Sequence, residues 1–530
     1  MKYNRAYLPL IISAGIALGI LIGFYMPHPN TGMSTTFPAS NDKLSRILDI
    51  IESDYVDTID RNALIEEAIP TMLRKLDPHS VYIPARDLTE ANEPLQGNFD
   101  GIGVSFNTIT DTVLIISTIS GGPSEKAGIM AGDKIIYVGD SLIAGKGIPD
   151  ENIVRMLKGP RGTRVDLKIA RKGVPELIPF TIIRDKIPIF SVDVSYMMSD
   201  DVGYIKISNF ALTTHEEFRQ GLRDLKGQGM NRLILDLRSN SGGVMDAATM
   251  IADEFLAEGK LIVFTMGKAK PRQEVRATAN GDFEQGELVV LIDEWSASAS
   301  EILAGAVQDN DRGTIIGRRS FGKGLVQEPV MFRDGSGMRL TIARYYTPTG
   351  RSIQKPYDEG VEKYYEELGT RYIHGEFEQA DSIDLPDSLR YTTPGGKTVY
   401  GGGGIMPDIF IPIDTTGVSD YFIAVRNSGL LLRYSLKFTE DNREAMKKFR
   451  DLSSLDEWLS NQDLMSKFVR YASENGIPPD NDGISTSENI LYIQLKAYIA
   501  RNMLDSKGFY PLWEKIDRTL LDALAYIESI

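Results

Sequence analysis

The chain has 530 residues, of which 42% are hydrophobic and 25% charged, and its formal net charge at pH 7 is -15. That length exceeds a single hydrophobic core and predicts several domains, while the acidic balance argues against a general nucleic-acid binder, which needs a basic surface. The absence of cysteine excludes disulfides, thiolate metal sites and cysteine nucleophiles. The four histidines lack metal-ligand spacing, and neither a metal nor an organic cofactor is predicted.

The first predicted element is a membrane segment. Lys2 and Arg5 precede an uncharged apolar run from Ala6 to Met26, which is long enough to cross a bilayer as a helix of about 20 residues. The preceding positive charges predict that the rest of the chain lies across the membrane from the cytoplasm. A cleaved signal peptide at residues 1–26 stays open as an alternative, although no A-x-A-like site follows. Residues 27–41 are interpreted as a linker.

Residues 42–96 are predicted to form an N-terminal helical segment. Leu44, Ile47 and Ile51 recur at helical spacing, and a second apolar-periodic run covers residues 64–76. The sequence Asp-Pro-His-Ser that follows this run is expected to end the helix.

The spacing of apolar residues divides the remaining chain into three domains. The protein is therefore predicted to be a multidomain α/β protein. Residues 97–185 alternate short β-like runs with turns and are predicted to form a β-rich domain with one helix from Asp150. Residues 186–415 alternate apolar strands with helices, which predicts an α/β domain with a mainly parallel sheet. Residues 416–530 are predicted to form a helical C-terminal domain. In the α/β domain, strands are predicted at 202–207, 232–237, 261–265, 288–292 and 314–316, and helices at 214–227, 244–257 and 299–309.

Ser298 stands at the predicted start of a helix. Ser298 and Glu301 fit a capping box, in which the serine is the N-cap and the glutamate follows three residues later. A serine at this position also lies beside unpaired backbone N–H groups, which can stabilise an oxyanion on an attacked carbonyl. The alternative interpretation is that Ser298 only caps the helix.

Lys323 lies between Gly322 and Gly324 and is the candidate base for Ser298. A lysine pKa is ordinarily about 10.4, so general-base catalysis near neutral pH requires that burial lower it by roughly 2–3 units. The residues after Lys323 are expected to be extended, which would let Gln327 accept a hydrogen bond from the lysine amine. The alternative is an ordinary solvated lysine in a loop.

A glycine-rich turn follows the predicted strand that ends near Asp236. Its backbone N–H groups, at Gly242 or Gly243, are predicted to form an oxyanion hole together with the N–H of Ala299. A flexible strand–helix turn is the alternative interpretation. Asp309 lies three helical turns from Ser298, too far to act on its hydroxyl, and is interpreted as structural.

His79 is the competing candidate for the base. Its sequence context, Asp-Pro-His-Ser after a helix, is more typical of turn architecture, so Lys323 is preferred.

Taken together, these motifs closely resemble those of the carboxy-terminal processing (tail-specific) serine peptidases, over about residues 40–415. The resemblance rests on Ser296–Glu301, on Phe321–Gln327 and on the strand–turn motif from Asp236 to Gly243. It implies Ser298 as nucleophile, Lys323 as general base and Gln327 as the residue that orients the lysine. Ser239 and Ser241 stand where asparagine and proline are common, and Glu294-Trp295 replaces smaller residues.

Residues 97–185 resemble a PDZ domain. Their carboxylate-binding loop is represented by Gly101, Ile102, Gly103 and Val104, beside which an extended peptide can add as a strand. The helix from Asp150 would flank that groove and favour an apolar final residue.

The sequence thus predicts an extracytoplasmic serine endopeptidase of the bacterial inner membrane, active in the periplasm on proteins with exposed apolar C-termini. The main alternative is a non-catalytic PDZ-bearing scaffold on a peptidase-like fold, and a hydrolase of small esters or lipids is a third. Retention of the serine, the lysine and the glutamine disfavours the scaffold, because a scaffold needs none of them. Nucleic acid is not a predicted partner, and a homo-oligomer is left open.

Overall fold

The computed structural model describes residues 43–109, 111–383 and 386–530. The described residues up to Ala68 and those from Ile69 onward form two units, each of which is described by itself. The predicted membrane segment and the linker after it lie outside the described residues. Within the described ranges, no helix is both long enough and apolar enough to cross a membrane.

The predicted N-terminal helical segment is helical. It contains α1 (Lys43–Asp54), α2 (Arg61–Leu73) and α3 (Ala85–Gln96). A short strand, β1 (Val81–Ile83), was not predicted and pairs antiparallel with residues 337–339. Three residues are too few to display an alternating pattern, so only the distant partner reveals this strand.

The β-rich domain folds as predicted. Its sheet has the order β3-β4-β5-β7-β8, with β6 on the outer side of β5, and its apolar core is formed by alternate residues of these strands. A separate antiparallel pair, β2 with β9, joins the two ends of the domain where it leaves the rest of the chain. The elements are β2 (Asn98–Gly101), β3 (Val104–Ile109), β4 (Thr112–Thr118), α4 (Pro123–Ala127), β5 (Lys134–Val138), β6 (Ser141–Leu142), α5 (Asp150–Leu157), β7 (Arg164–Ala170), β8 (Ile178–Ile183) and β9 (Asp185–Pro188).

The α/β domain contains the predicted parallel sheet. Its order is β10-β11-β12-β15-β16-β21, and every pairing is parallel except that of β10 with β11. Alternate residues of β12 face opposite sides, which is why its apolar run is continuous: Leu233 and Leu235 enter one core and Ile234 the other. The strands are β10 (Val192–Met197), β11 (Val202–Ile207), β12 (Arg232–Asp236), β15 (Glu287–Ile292), β16 (Thr314–Gly317) and β21 (Ile409–Phe410).

One predicted strand belongs elsewhere. The run at 261–265 is a strand, but it lies in a second, antiparallel sheet of order β1-β18-β13-β14, with β17 on β18. Apolar composition alone did not distinguish the two sheets, because a buried strand of either sheet has an apolar sequence. The members are β13 (Leu261–Met266), β14 (Gln273–Arg276), β17 (Leu325–Met331) and β18 (Gly337–Tyr346), and a small hairpin is formed by β19 (Arg390–Thr392) and β20 (Thr398–Tyr400).

Helices cover both faces of the parallel sheet. One face packs against α6 (Thr214–Gly227), α7 (Met245–Asp253) and α8 (Ala299–Asp309). The other face packs against the last helix, α15 (Arg518–Ser529), through Leu520, Ala523 and Ile527.

The C-terminal region is helical, as predicted, but it divides between two cores. Most of it packs around its own apolar cluster, whereas α15 completes the core of the α/β domain. The boundary at residue 416 therefore separates only part of the region from the α/β domain. The remaining helices are α9 (Val361–Ile373), which precedes this region, and α10 (Asp420–Asn427), α11 (Leu430–Met446), α12 (Leu452–Ser460), α13 (Leu464–Glu474) and α14 (Asn481–Trp513), the last of which is broken at Asp505.

Candidate active site

The site lies at the carboxyl edge of the parallel sheet, where two neighbouring strands end together. In the β12–β15 pair, Asp236 lies beside Leu291, so the chain leaves both strands at the same edge. The glycine-rich turn after β12 and the loop that leads from β15 into α8 are consequently adjacent. This adjacency explains why two motifs more than 50 residues apart in sequence meet in space.

Ser298 is the N-cap residue of α8 and has an unusual backbone conformation, with φ 56° and ψ -111°. Positive φ is costly for a residue with a side chain, by about 1–3 kcal/mol, and such strain is concentrated at functional sites. Two neighbours hold the conformation: the Ser298 N–H donates to the Glu301 carboxylate at 2.8 Å, and the Ala297 N–H donates to the Asn240 carbonyl at 3.0 Å. Of the capping box predicted from the sequence, the hydrogen bond from the Ser298 N–H to the Glu301 side chain is therefore present.

Glu301 also binds the loop that carries Lys323. Its Oε2 accepts from the N–H groups of both Ser298 (2.8 Å) and Lys323 (2.9 Å), and its Oε1 accepts from the Gly322 N–H (2.7 Å) and the Ser320 hydroxyl (2.5 Å). One buried carboxylate thus joins the nucleophile candidate to the base candidate through their main chains. Burial raises the pKa of Glu301 to about 7 against the opposing effect of these donors.

Tyr345 of β18 makes a second connection between the same two residues. Its hydroxyl lies 3.1 Å from the Ser298 carbonyl oxygen and 2.6 Å from the Lys323 carbonyl oxygen. The tyrosine is 1% exposed, so its ring is held by the surrounding core. Ser298 and Lys323 are therefore held side by side from two directions.

The Lys323 amine faces Gln327, as the sequence predicts. Its Nζ donates to Gln327 Oε1 at 3.4 Å, which is long for a hydrogen bond, and Gln327 Nε2 donates to the His79 carbonyl oxygen. Burial lowers the pKa of Lys323, although the Glu301 and Asp77 charges oppose this effect and Arg339 adds to it. A partly buried amine with a lowered pKa has the property that a general base requires.

The His79 ring, the competing candidate for the base, is bound to a different residue. Its Nε2 lies 2.9 Å from the Tyr364 hydroxyl, and burial, assisted by the Lys323 charge, lowers the pKa of the ring to about 3. Asp77 accepts from the His79 and Ser80 N–H groups, both at 2.8 Å. The Asp-Pro-His-Ser segment is therefore a structured turn that presents a carbonyl to Gln327.

The two candidate oxyanion glycines differ in the state of their N–H groups. A Cβ on Gly242 would lie 2.8 Å from the Ser298 Cβ and 2.9 Å from the Ala299 nitrogen, so only glycine allows the turn to approach the helix start. The Gly242 N–H donates to the Asn240 side chain at 2.9 Å. Among the hydrogen bonds of the described residues, none has the N–H of Gly243 or Ala299 as donor. Gly243 and Ala299 are thus the pair with free donors.

The model of peptidase family S41 matches residues 201–366 and a PDZ-domain model matches residues 101–181, while an N-terminal domain of the activating protease CtpB matches residues 28–86 and a family of unknown function matches residues 421–505. The chain is 38% identical over 321 residues to the carboxy-terminal-processing protease of Bartonella bacilliformis, covering 59% of this chain and 73% of that protein. The chain belongs to the S41 family of carboxy-terminal processing serine peptidases.

A second curated relative agrees with this assignment. The carboxy-terminal processing protease CtpA of Bacillus subtilis is 34% identical over 323 residues, covering 61% of this chain and 68% of that protein. A solved structure of the photosystem II D1 C-terminal processing protease aligns at 30% identity over 58% of this chain and 83% of that chain, with a TM-score of 0.34.

The loop predicted to bind the peptide carboxylate connects β2 to β3 in this S41 peptidase. The Ile102 carbonyl accepts from the Ser124 N–H (3.0 Å) and hydroxyl (2.6 Å), and the Gly103 carbonyl accepts from the Ile119 N–H at 3.0 Å. Gly101 pairs with the last strand of the domain and Val104 begins β3. The carbonyls of the loop are thereby committed to the domain itself.

Sequence reasoning missed several residues that hold the site of this peptidase together. Asp293 accepts from the N–H groups of Ser239 (2.9 Å) and Trp295 (3.0 Å), and so links the glycine-rich turn to the loop before Ser298. Asn240 and Tyr345 act in the same way, and Glu301 was recognised only as a cap. A capping box gave a signal for one of these residues, whereas the other contacts join residues too distant in sequence for any local pattern to reveal.

Glu301→Gln is expected to impair both folding stability and cleavage. Whichever way the amide is oriented, two of the four donors lose their acceptor and face an NH₂ group, at a cost of about 1–3 kcal/mol each. We expect a loss of about 2–6 kcal/mol in the free energy of unfolding and at least a tenfold fall in kcat for the folded fraction. Denaturant unfolding and active-site-normalised kinetics measure the two effects.

Glu254→Gln is the matched control for that substitution. Glu254 is also a buried carboxylate, and it binds His215 and the Asp282 N–H at 2.8 Å and 2.9 Å, away from the site. It should cost stability while kcat stays unchanged. Equal kcat values for the two variants would contradict a positioning role for Glu301.

Proposed function

We propose that this S41 peptidase cleaves peptide bonds by an acyl-enzyme mechanism with Ser298 as nucleophile and Lys323 as general base. The observation that carries the proposal is the double connection of Ser298 to Lys323, through the Glu301 carboxylate and the Tyr345 hydroxyl. An ordinary solvated lysine in a loop would need neither of these two connections nor a partly buried side chain. The lowered pKa of Lys323 supports the same role.

In the proposed reaction the neutral Lys323 amine takes the proton of the Ser298 hydroxyl as the oxygen attacks the scissile carbonyl carbon. The oxyanion that forms is stabilised by the N–H groups of Ala299 and Gly243. The lysine ammonium then gives its proton to the leaving amine as the C–N bond breaks, which leaves an acyl-serine. Water, deprotonated by the same lysine, hydrolyses that ester and restores both residues, while Gln327 orients the amine throughout.

We propose that the PDZ domain selects substrates by their C-terminus. The Gly101–Val104 loop would hold the terminal carboxylate through its N–H groups, and the peptide would extend along β3. The partly buried apolar side chains of Val104 and Phe106 on β3 support a preference for an apolar final residue.

The membrane location is also a proposal. The apolar run at residues 6–26 and the charges before it support a bacterial inner-membrane anchor or signal with the catalytic part in the periplasm. Alkaline extraction of membranes from cells that express the full chain separates an anchored protein from a released one.

Cleavage of an unfolded protein with an apolar C-terminal tail tests the proposed function. Wild-type chain should cut it at internal peptide bonds, whereas a small ester should be a poorer substrate. Tight tail binding without any cleavage would instead favour the scaffold, and preferential ester turnover would favour a small-ester hydrolase.

The terminal carboxylate provides a further prediction. Conversion of the substrate's C-terminal carboxylate to an amide removes the charge-assisted hydrogen bonds to the loop, each of which is worth about 1.5–3 kcal/mol. We expect KM to rise at least tenfold with kcat little changed, as measured on paired peptides that differ only in that group. An unchanged KM would exclude carboxylate capture by the PDZ loop.

A further inference from the structure

Arg238, the residue that begins the glycine-rich turn, has its side chain between two carboxylates. Its guanidinium donates to Asp236 at the end of β12 (Nη2 to Oδ2, 2.7 Å) and, in a bidentate pair, to Asp517 (Nη1 to Oδ1, 2.8 Å; Nη2 to Oδ2, 2.7 Å). Asp517 comes from the far end of the chain. It lies outside both residues 201–366, which match family S41, and residues 421–505, which match the family of unknown function.

We infer that Asp517 is a positioning residue for catalysis, which holds the glycine-rich turn, and with it the Gly243 N–H, in the geometry that stabilises the oxyanion. The inference rests on the proposed function, because it assigns a supporting contact to the proposed oxyanion donor. It gives the N-cap residue of α15 a part in the reaction, which it exerts through the glycine-rich turn.

Side-chain anchors at the start of the turn set its conformation. Ser239 has a left-handed backbone, with φ 60°, and its N–H is held by Asp293 at 2.9 Å. Asn240 then binds the Gly242 N–H within the turn. Arg238 precedes these anchors, and its carbonyl also accepts from Lys206 Nζ at 3.1 Å. A shift of Arg238 would therefore be passed along a short, tightly bonded turn towards Gly243.

The fully buried Asp236 carboxylate also binds Arg238, at its Nε and Nη2. Asp236 is shared with Lys206, whose Nζ lies 3.5 Å from its Oδ2, so Asp517 is the second carboxylate beside two cations. What Asp517 adds is a fixed position on the other side of the guanidinium. The two residues line a cavity of about 220 Å³ together with Lys206, Glu514 and Trp513, among others. A water molecule occupies about 30 Å³, so this space can hydrate a displaced arginine. Loss of the Asp517 charge would thus permit movement without unfolding.

Asp517 has a structural role that the test must keep intact. Its Oδ1 accepts from the Leu520 N–H at 3.1 Å and so caps α15, whose buried face anchors it to the sheet. Asparagine and serine are both good N-caps. Asp517→Asn and Asp517→Ser therefore remove the charge that binds Arg238 and preserve the cap, and Asp517→Glu restores the charge.

The matched control is Asp522→Asn in the same helix. Asp522 makes an exposed pair with Arg518 at 3.5 Å, with exposed side-chain fractions of 43% and 54%, and it has no contact with the turn. All variants are made in the full chain, and kcat and KM are normalised to sites titrated with a serine-directed phosphonate. Affinity for a peptide boronic acid, which forms a tetrahedral adduct on the serine, is compared with affinity for the product peptide.

We expect Asp517→Asn and Asp517→Ser to lower kcat about tenfold, less than the roughly 10²–10³-fold loss of a complete oxyanion donor. KM and product-peptide affinity should stay within about twofold, boronic-acid affinity should fall in parallel with kcat, and Asp517→Glu should recover part of both losses. Wild-type kcat in both charge-removing variants, or an equal loss in Asp522→Asn, would overturn the inference. The inference would also be overturned if the loss of activity came entirely from a smaller number of active sites titrated by the phosphonate. If the wild-type chain itself does not cleave, the proposed function fails instead.

Discussion

Ser298→Ala is expected to abolish peptide-bond cleavage. If Ser298 is the nucleophile, no acyl-enzyme can form, and losses of about 10⁴–10⁶-fold in kcat accompany removal of a serine nucleophile. Tail binding should be unaffected, since the PDZ domain is a separate folded element. Gel-based cleavage of an unfolded protein, with peptide binding measured in parallel, checks both halves of the prediction.

The strained backbone of Ser298 supplies an internal control. At φ 56° and ψ -111° a glycine avoids the steric cost that any Cβ pays, which is about 1–3 kcal/mol. Ser298→Gly should therefore be inactive but more stable to denaturant than Ser298→Ala by roughly 1 kcal/mol or more. Cleavage at the wild-type rate in either Ser298 variant would mean that another residue is the nucleophile.

Lys323→Met is expected to reduce kcat nearly as far as loss of the serine, because the base and the nucleophile act as one unit. In the wild type, burial lowers the pKa of Lys323, so the amine gains its neutral, active form below the pH at which a free lysine would. Cleavage should therefore rise from neutral to mildly alkaline pH, with a midpoint below about 10.4. A rate profile from pH 5 to pH 9, with chemistry limiting, measures the effect.

Lys496→Met provides the matched change at a distance. Lys496 is a lysine of α14 that is 6% exposed and contacts Asp456 and Ser460 within the helical region. That variant should lose stability yet keep the wild-type pH profile. A flat wild-type profile, or the same rise retained in Lys323→Met, would assign the base to another group.

Much of the site could be predicted from local pattern. The helix at 299–309 and its capping box depend on residues within one turn, and the strand before it depends on an apolar run, so each is encoded where it occurs. The contact between Lys323 and Gln327 likewise follows from four residues of extended chain. The assignment of 261–265 to the parallel sheet was wrong because neighbouring strands in sequence need not be neighbours in a sheet.

By itself, then, the sequence indicated the carboxy-terminal processing peptidase family and the candidate nucleophile and base, because the motifs that carry them are short and local. Only the tertiary structure decided how the candidates are held. The Glu301 and Tyr345 connections to Lys323 and the contact of Asp517 with Arg238 join residues 22 to 279 positions apart in the sequence. Such contacts form because the parallel strands end at one edge of the sheet and because α15, at the end of the chain, covers one face of it. No single segment of the sequence encodes either arrangement.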